Sequence, residues 1–501
     1  MSLKYGIDKP DLPGLEELKR LQGYYDIDYE GPFPEHLQEK IKAIMMLPDE
    51  PYYSDDDTYY NDAVQIYDLC LSPTVKQTAH FMFVLIITNI LYHCLAKISY
   101  RISDSLVHVM STIIGLTYLY MFSFYGNVEV LFIIPVVYLS YYALCEMEQR
   151  VFEAEFSTGI TIGATFASIL ISCEYYYPDH EAWLKVRSVV MVAMMKIISL
   201  AFDIHRNHRL PTLIEYSGYI WCPANSHVGP WITFKEYNRG NRSNTINFSW
   251  VIGLIKYFIM AMGFVCFSNC ISTYLISDNS NIFLLSFRHA MSFRMSHYFI
   301  SFVGSTAMVA AGFRNDIKSS HVFWNYTITR PYETEFPRSL ACVVANWNLP
   351  AHNFLKKYIY PLFLPYGQLM AVLMTFFVTA MLLGLSVEVS VVLLTLCVFS
   401  YAQSRFQERT ARMLDACIRI RPCKVCKYYY RCDSNLVRFF NLLYTISTII
   451  LMTYIGCLME DINHTRTVRE IADGITFKWS QLNGIGHFIS CICLTISWIL
   501  G

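Results

Sequence analysis

Residues 347–350 read Trp-Asn-Leu-Pro in a chain otherwise suited to an apolar environment. Asn348 is the member of that block with chemistry to offer. Its amide both donates and accepts, and an amide N–H fixed in a dry site stabilises negative charge developing on a carbonyl oxygen. Trp347 adds a large apolar wall with one N–H donor. A structural use is equally open, since an asparagine beside Pro350 can satisfy backbone groups that a broken helix leaves unpaired.

Three other groups could carry chemistry. Lys196 and Asp203, seven residues apart, share one helical face two turns apart, and charge inside a span faces a polar path or a partner. The bland alternative is an interfacial Asp203 and a Lys196 that snorkels. Gly229-Pro230-Trp231-Ile232-Thr233-Phe234 reads as an interfacial aromatic anchor or as part of a surface where substrate arrives, and Trp at the headgroup level favours the anchor. Cys423 and Cys426, with Cys417 and Cys432 on either side, resemble a zinc knuckle. No histidine lies in that loop, so free or lipidated thiols are favoured there, and no metal is expected.

These residues are positioned by a membrane protein. The chain has 501 residues, 54% hydrophobic and only 16% charged, too apolar for an ordinary soluble domain. Its net charge of -1 supplies no pull toward nucleic acid, and no nucleic-acid partner is expected. Residues 1–75 form a hydrophilic region rich in Asp, Glu and Tyr without the look of a cleavable signal peptide. The 16 cysteines are scattered through spans and loops, unlike the ordered framework of a small secreted domain.

Apolar windows of spanning length predict helices over 76–97, 105–124, 129–146, 157–174, 185–203, 249–276, 297–312, 366–386, 388–404, 436–459 and 482–500. The expectation is thus an all-α polytopic fold of about eleven transmembrane helices. Residues 337–365 are different: Pro350, Pro361 and Pro365 break them, and Lys356 and Lys357 make them less apolar. They predict short helices and a re-entrant piece, which needs a cavity or surrounding protein because lipid satisfies no backbone group. The loop 405–431 is rich in Arg and Lys and reads as cytosolic, which makes the sequon at Asn463 lumenal. The sequons at Asn241 and Asn247 lie in a loop that its own basic residues place in the cytosol.

At this point the chain resembles the membrane-bound O-acyltransferases, and among them the branch that modifies Wnt proteins. The residues that carry the resemblance are RPYETEFPRSLACVVANWNLP at 330–350, VAMMKIISLAFD at 192–203, ARMLDACIRIRPC at 411–423, KWSQL at 478–482 and GPWITF at 229–234. They spread over the chain from about residue 75 on. The resemblance implies a membrane domain over 76–501, in the endoplasmic reticulum, built around a tunnel. It also implies a protein-serine O-acyltransferase that moves a fatty acyl group from acyl-CoA to a serine hydroxyl of a Wnt protein. The donor would be palmitoleoyl-CoA, with no further cofactor, and the partners would be Wnt proteins and membrane lipids.

The resemblance assigns roles residue by residue. Asn348 matches the family's asparagine. Trp347, Leu349, Pro350, Gly384, Ser386, Arg338 and Ser339 fall among the residues around the substrates. The family's catalytic histidine falls at position 383, where this chain has leucine, and leucine accepts no proton. Three readings follow: an inactivated variant of an enzyme, a relative that binds lipid or Wnt without transferring, or a substitute base. The histidines in or near apolar segments are His289, His297, His352 and His487, and Glu388 lies five residues after Leu383. A transporter, the competing class, would show repeats and paired midplane charges, of which the sequence offers little beyond Lys196 and Asp203.

Overall fold

Each of the eleven predicted apolar segments contains a helix among its described residues. The computed structural model describes Val64 and residues 66–124, 132–149, 155–177, 180–205, 209–242, 247–314, 326–383, 386–420, 428–459 and 468–500. The predicted hydrophilic region 1–75 lies largely outside them. The chain divides into two units, Met1–Ser72 and Pro73–Gly501, and the helices that matter here belong to the second.

In chain order these are α1 Ser72–Ile102, α2 Asp104–Leu119, α3 Ile133–Gln149, α4 Glu155–Tyr176, α5 His180–His205, α6 Leu213–Ile220, α7 Phe234–Arg242, α8 Phe248–Cys266 and α9 Ile282–Ala310. The second half continues with α10 Pro331–Glu335, α11 Leu340–Trp347, α12 Leu349–Phe354, α13 Tyr360–Phe363, α14 Gln368–Leu382, α15 Val387–Met413, α16 Asn435–Gly456, α17 Val468–Gln481 and α18 Ile485–Ile499. Among the described residues there is one isolated bridge, Ala416 to Tyr430, and no named strand.

Among the described residues, five helices are long and apolar enough to cross a membrane alone, and six if the pair Arg469–Gln481 and Ile485–Ile499, bent by 74°, counts as one span. The predicted eleven each contain a helix there, but they are not eleven spans of that kind. The physical reasons are visible in the chain. The apolar parts of α3 and α14 are short, at Ile133–Glu146 and Gln368–Leu382. Helices α5 and α9 bury polar groups: Lys196 and Asp203 in the first, Arg288, Arg294, Ser305 and Thr306 in the second. The hydroxyls of Ser305 and Thr306 donate to the carbonyls of Ser301 and Phe302 one turn back, which lets a polar helix be buried at low cost.

Local chemistry sets the helix ends. Thr212 and Glu215 form a capping box at α6, and Asn247 and Asn281 cap α8 and α9. Asn247, one of the sequons, is thus occupied by a helix start. Between α6 and α7 the chain passes through a buried loop, residues 221–232. The backbone of α2 touches it so closely that a Cβ on Gly115 would fall 1.5 Å from the Trp221 carbonyl oxygen, so no larger residue fits there.

Two main hydrophobic cores divide the second unit, with a third, small one formed around Ala411, Ile418, Val437 and Tyr444. The larger joins α1 to α9 and includes Phe354, Tyr358 and Leu382; the smaller gathers Leu340, Val343, Phe399, Leu451 and Tyr454 from α11, α15 and α16. The predicted break at 337–365 falls between them. It is resolved into the short helices α11, α12 and α13, with a π-helical turn Leu355–Ile359 before α13.

Candidate active site

The turn between α11 and α12 crosses the seam of the two cores. Ser339 starts α11 as its cap, its buried hydroxyl accepting from Cys342 N at 3.2 Å. Gln403 and Gln407 of α15 brace the same end, accepting from Leu340 N at 2.8 Å and donating to the Arg338 carbonyl at 2.6 Å. The Nη1 of Arg338 is buried without a hydrogen-bond partner among the described residues.

At the far end of α11 the backbone opens at Asn348, with φ -143° and ψ 93°. Its Oδ1 accepts from Ala351 N at 3.0 Å and its carbonyl accepts from His352 N at 2.9 Å. Leu349 N donates to the Ile328 carbonyl at 2.8 Å. Pro350 sits in the first turn of α12, where its missing N–H costs nothing. Asn348 therefore does perform the structural task open to it. That task also orients the amide: a backbone N–H can face only the oxygen, so Nδ2 with its two hydrogens is left to donate elsewhere.

Trp347 is held from α9. The His297 ring stacks on it at 4.1 Å with planes 10° apart, and His297 Nε2 lies 2.9 Å from the Trp347 carbonyl oxygen. One turn earlier Arg294 pairs with Glu335 at 2.9 Å, and Tyr298 donates to the same carboxylate at 2.7 Å. These contacts tie α9 to α10. Arg330 N and the Thr329 hydroxyl both donate to the Asn346 carbonyl, at 3.1 and 3.2 Å. The Trp347–Asn348 segment is thus fastened on two sides.

Leu383 closes α14 on the same seam. Leu382 packs into the larger core, while Val391 and Val392 of α15 pack against the smaller. The N–H of Leu383 donates to the Thr379 carbonyl at 3.1 Å, and its own carbonyl accepts from Arg187 Nη2 at 2.7 Å. Gly384 lies outside the described residues. Ser386 caps α15, and its hydroxyl donates to the buried Glu388 carboxylate at 3.1 Å. Beside it runs a groove of about 430 Å³, lined by Ile171, Tyr175, Val387, Ser390, Val391 and Leu394.

The remaining motifs resolve differently. Lys196 is fully buried and donates to the Tyr219 and Ile220 carbonyls and to Asn225 Oδ1, at 2.8, 2.9 and 2.8 Å. It caps the open end of α6 and does not snorkel. Asp203 pairs with Lys357 at 3.1 Å and accepts from the Tyr358 hydroxyl at 2.8 Å. The two residues share a face, as their spacing predicts, but serve separate partners. Trp231 is buried, donates to the Ser199 hydroxyl at 3.1 Å and packs on Phe354 at 5.3 Å. The favoured reading of 229–234 as an interfacial anchor is therefore wrong: the tryptophan is core.

Cys417 and Cys432 bring their sulfurs within 3.2 Å, held by the bridge between Ala416 and Tyr430. Cys423, Cys426 and Asn463 lie outside the described residues. Among the described residues no group of three or more His, Cys, Asp or Glu is placed to hold a metal ion. Arg187 is the residue that sequence reasoning missed, because nothing in its neighbourhood marks a contact 196 positions away.

A helical membrane protein with a broken, asparagine-capped, half-buried turn at the junction of two cores defines the class: the chain belongs to the membrane-bound O-acyltransferase family, whose family model matches residues 160–444. Members of that family are acyltransferases, and this chain is one by descent. It is similar to proteins named protein-serine O-palmitoleoyltransferase porcupine. It is 29% identical over 452 residues to that of Anopheles gambiae, covering 84% of this chain and 90% of the relative. The Mus musculus and Homo sapiens proteins are 27% and 28% identical over 462 and 464 residues, each covering 87% of this chain and 98% of the relative.

Proposed function

We propose that this chain transfers a palmitoleoyl group from palmitoleoyl-CoA to a serine hydroxyl of Wnt proteins in the membrane of the endoplasmic reticulum. The observation that carries this reading is similarity to protein-serine O-palmitoleoyltransferases along nearly their whole length, 90–98% of three of them. The reaction forms an ester at the serine oxygen and releases CoA as a thiol. Residues 76–501 are the catalytic membrane domain and residues 1–75 a hydrophilic appendage.

The chemistry maps onto the seam. As the serine oxygen attacks the thioester carbonyl, charge builds on the carbonyl oxygen, and the free Nδ2 hydrogens of Asn348 are the donors for it. Trp347, Leu349 and Pro350 wall the reacting carbon from water. The buried, unpartnered Nη1 of Arg338 suits an anionic group of the CoA donor, while Ser339 holds the start of α11 in place. Ser386 caps the start of α15, and Gly384 is assigned to the same substrate-binding group. Leu383 contributes apolar volume and no proton acceptor.

That leucine favours a second reading, in which the chain binds acyl-CoA and Wnt without efficient transfer. One experiment separates the two. Microsomes carrying the full chain are given labelled palmitoleoyl-CoA and a Wnt peptide, and both retained donor and acylated peptide are measured. Donor retention with acylated peptide supports transfer; retention alone supports the binding protein; neither sinks both.

A further inference from the structure

Transfer to a serine hydroxyl needs a base to take its proton. We propose that His297 is that base in this chain, a role that rests on the acyl-transfer reading above. His297 comes from α9, far from Asn348 in sequence, yet its ring lies flat on Trp347 at 4.1 Å and its Nε2 is 2.9 Å from the Trp347 carbonyl oxygen. The imidazole is thus one peptide group from the amide assigned to the oxyanion.

The bond also fixes the tautomer. A carbonyl oxygen only accepts, so Nε2 carries the hydrogen and donates, and Nδ1 keeps the lone pair. A histidine whose second nitrogen is engaged in this way is oriented as a base. The stack on Trp347, backed by Phe293 at 6.2 Å and 17°, prevents the ring from turning. The Arg294 to Glu335 pair and the Tyr298 hydroxyl hold the helix on either side of it. His352, one turn into α12, meets this segment through its backbone N–H.

The step balances. The serine proton passes to His297 Nδ1 as the serine oxygen bonds to the thioester carbon, and the carbonyl pair moves onto its oxygen. Collapse of the tetrahedral species breaks the carbon–sulfur bond, and the departing CoA sulfur takes the proton from Nδ1. No oxidant or metal enters.

The test uses the full-length protein in microsomes with labelled palmitoleoyl-CoA and a Wnt peptide. His297→Gln and His297→Phe keep, respectively, a donor for the Trp347 carbonyl and the aromatic stack, and His352→Gln is the control. The expected result is a fall in transfer of about 100-fold or more in both His297 variants, with palmitoleoyl-CoA retention within about twofold. The control should transfer as the native chain does. In a Leu383→His background, where a second imidazole is present, the His297 substitutions should cost less than about tenfold. Equal losses in both backgrounds would assign His297 to positioning alone and overturn the proposal. So would undiminished transfer by either variant, or no transfer by the native chain. Failure of the native chain to retain palmitoleoyl-CoA would sink the acyl-transfer reading itself.

Discussion

Arg187 Nη2 donates to the carbonyl oxygen of Leu383 at 2.7 Å, joining α5 to the end of α14. The same guanidinium binds Glu174 Oε1 at 3.0 Å, and Glu174 Oε2 accepts from Trp183 Nε1 at 2.8 Å. The backbone at position 383 is therefore held by a largely buried charge pair, whatever side chain stands there.

Removing one partner of that pair should be costly. Glu174→Gln leaves the Arg187 charge buried and unanswered, and such truncations cost roughly 3–5 kcal/mol. Thermal unfolding of the detergent-solubilised protein should show a lowered Tm. An unchanged Tm would mean that water reaches the pair.

Leu383→His should leave the fold intact, because the bonds of residue 383 to Arg187 and to α14 are made by its backbone. Acyl transfer to a Wnt peptide should rise about tenfold or more, the usual worth of a well-placed base. Equal activity of the two forms in labelled microsomes would remove position 383 from the chemistry.

Asn348 caps α12, and substitution can separate that cap from its proposed task at the oxyanion. Asn348→Asp keeps an oxygen for Ala351 N and should preserve the melting temperature, since Asp and Asn cap helices comparably. It lacks the Nδ2 hydrogens, so transfer should drop by about 100- to 1,000-fold. Asn348→Ala should lose both, with about 1 kcal/mol of stability gone with the cap. Transfer retained in Asn348→Asp would show the amide to be structural only.

His227, in the buried loop between α6 and α7, is 3.4 Å from the Tyr118 hydroxyl, and burial lowers its pKa to about 4. An unfolded histidine titrates near 6.5. The folded state thus favours the neutral ring. Its contribution is complete above about pH 6.5 and shrinks as pH falls toward 4, where the unfolded chain binds the extra proton. Tm measured from pH 7 down to pH 5 should decline, and His227→Phe should flatten the decline. Parallel curves for both proteins would place the acid sensitivity elsewhere.

Helices were legible because each apolar window is a local property. The break at 337–365 was legible for the same reason: proline and lysine interrupt apolarity wherever the chain goes. Span number was less so, since Lys196 and Asp203 of α5 and Arg294 of α9 are buried charges whose cost is offset by partners farther along the chain. The reading of Trp231 as an anchor failed on the same ground. A tryptophan beside Gly and Pro looks interfacial until Ser199, Phe354 and Tyr358 are seen around it.

The sequence by itself determined that Asn348 stands at a helix break, that Lys196 and Asp203 share a face, and that position 383 has no proton acceptor. Those follow from residue type and spacing. Only the tertiary structure decided which hydrogens of Asn348 remain free, that Lys196 closes α6, that Arg187 grips the Leu383 carbonyl, and that His297 lies on Trp347. Each of these is a contact between elements far apart in the chain, chosen by how the two cores pack, and no local pattern records it.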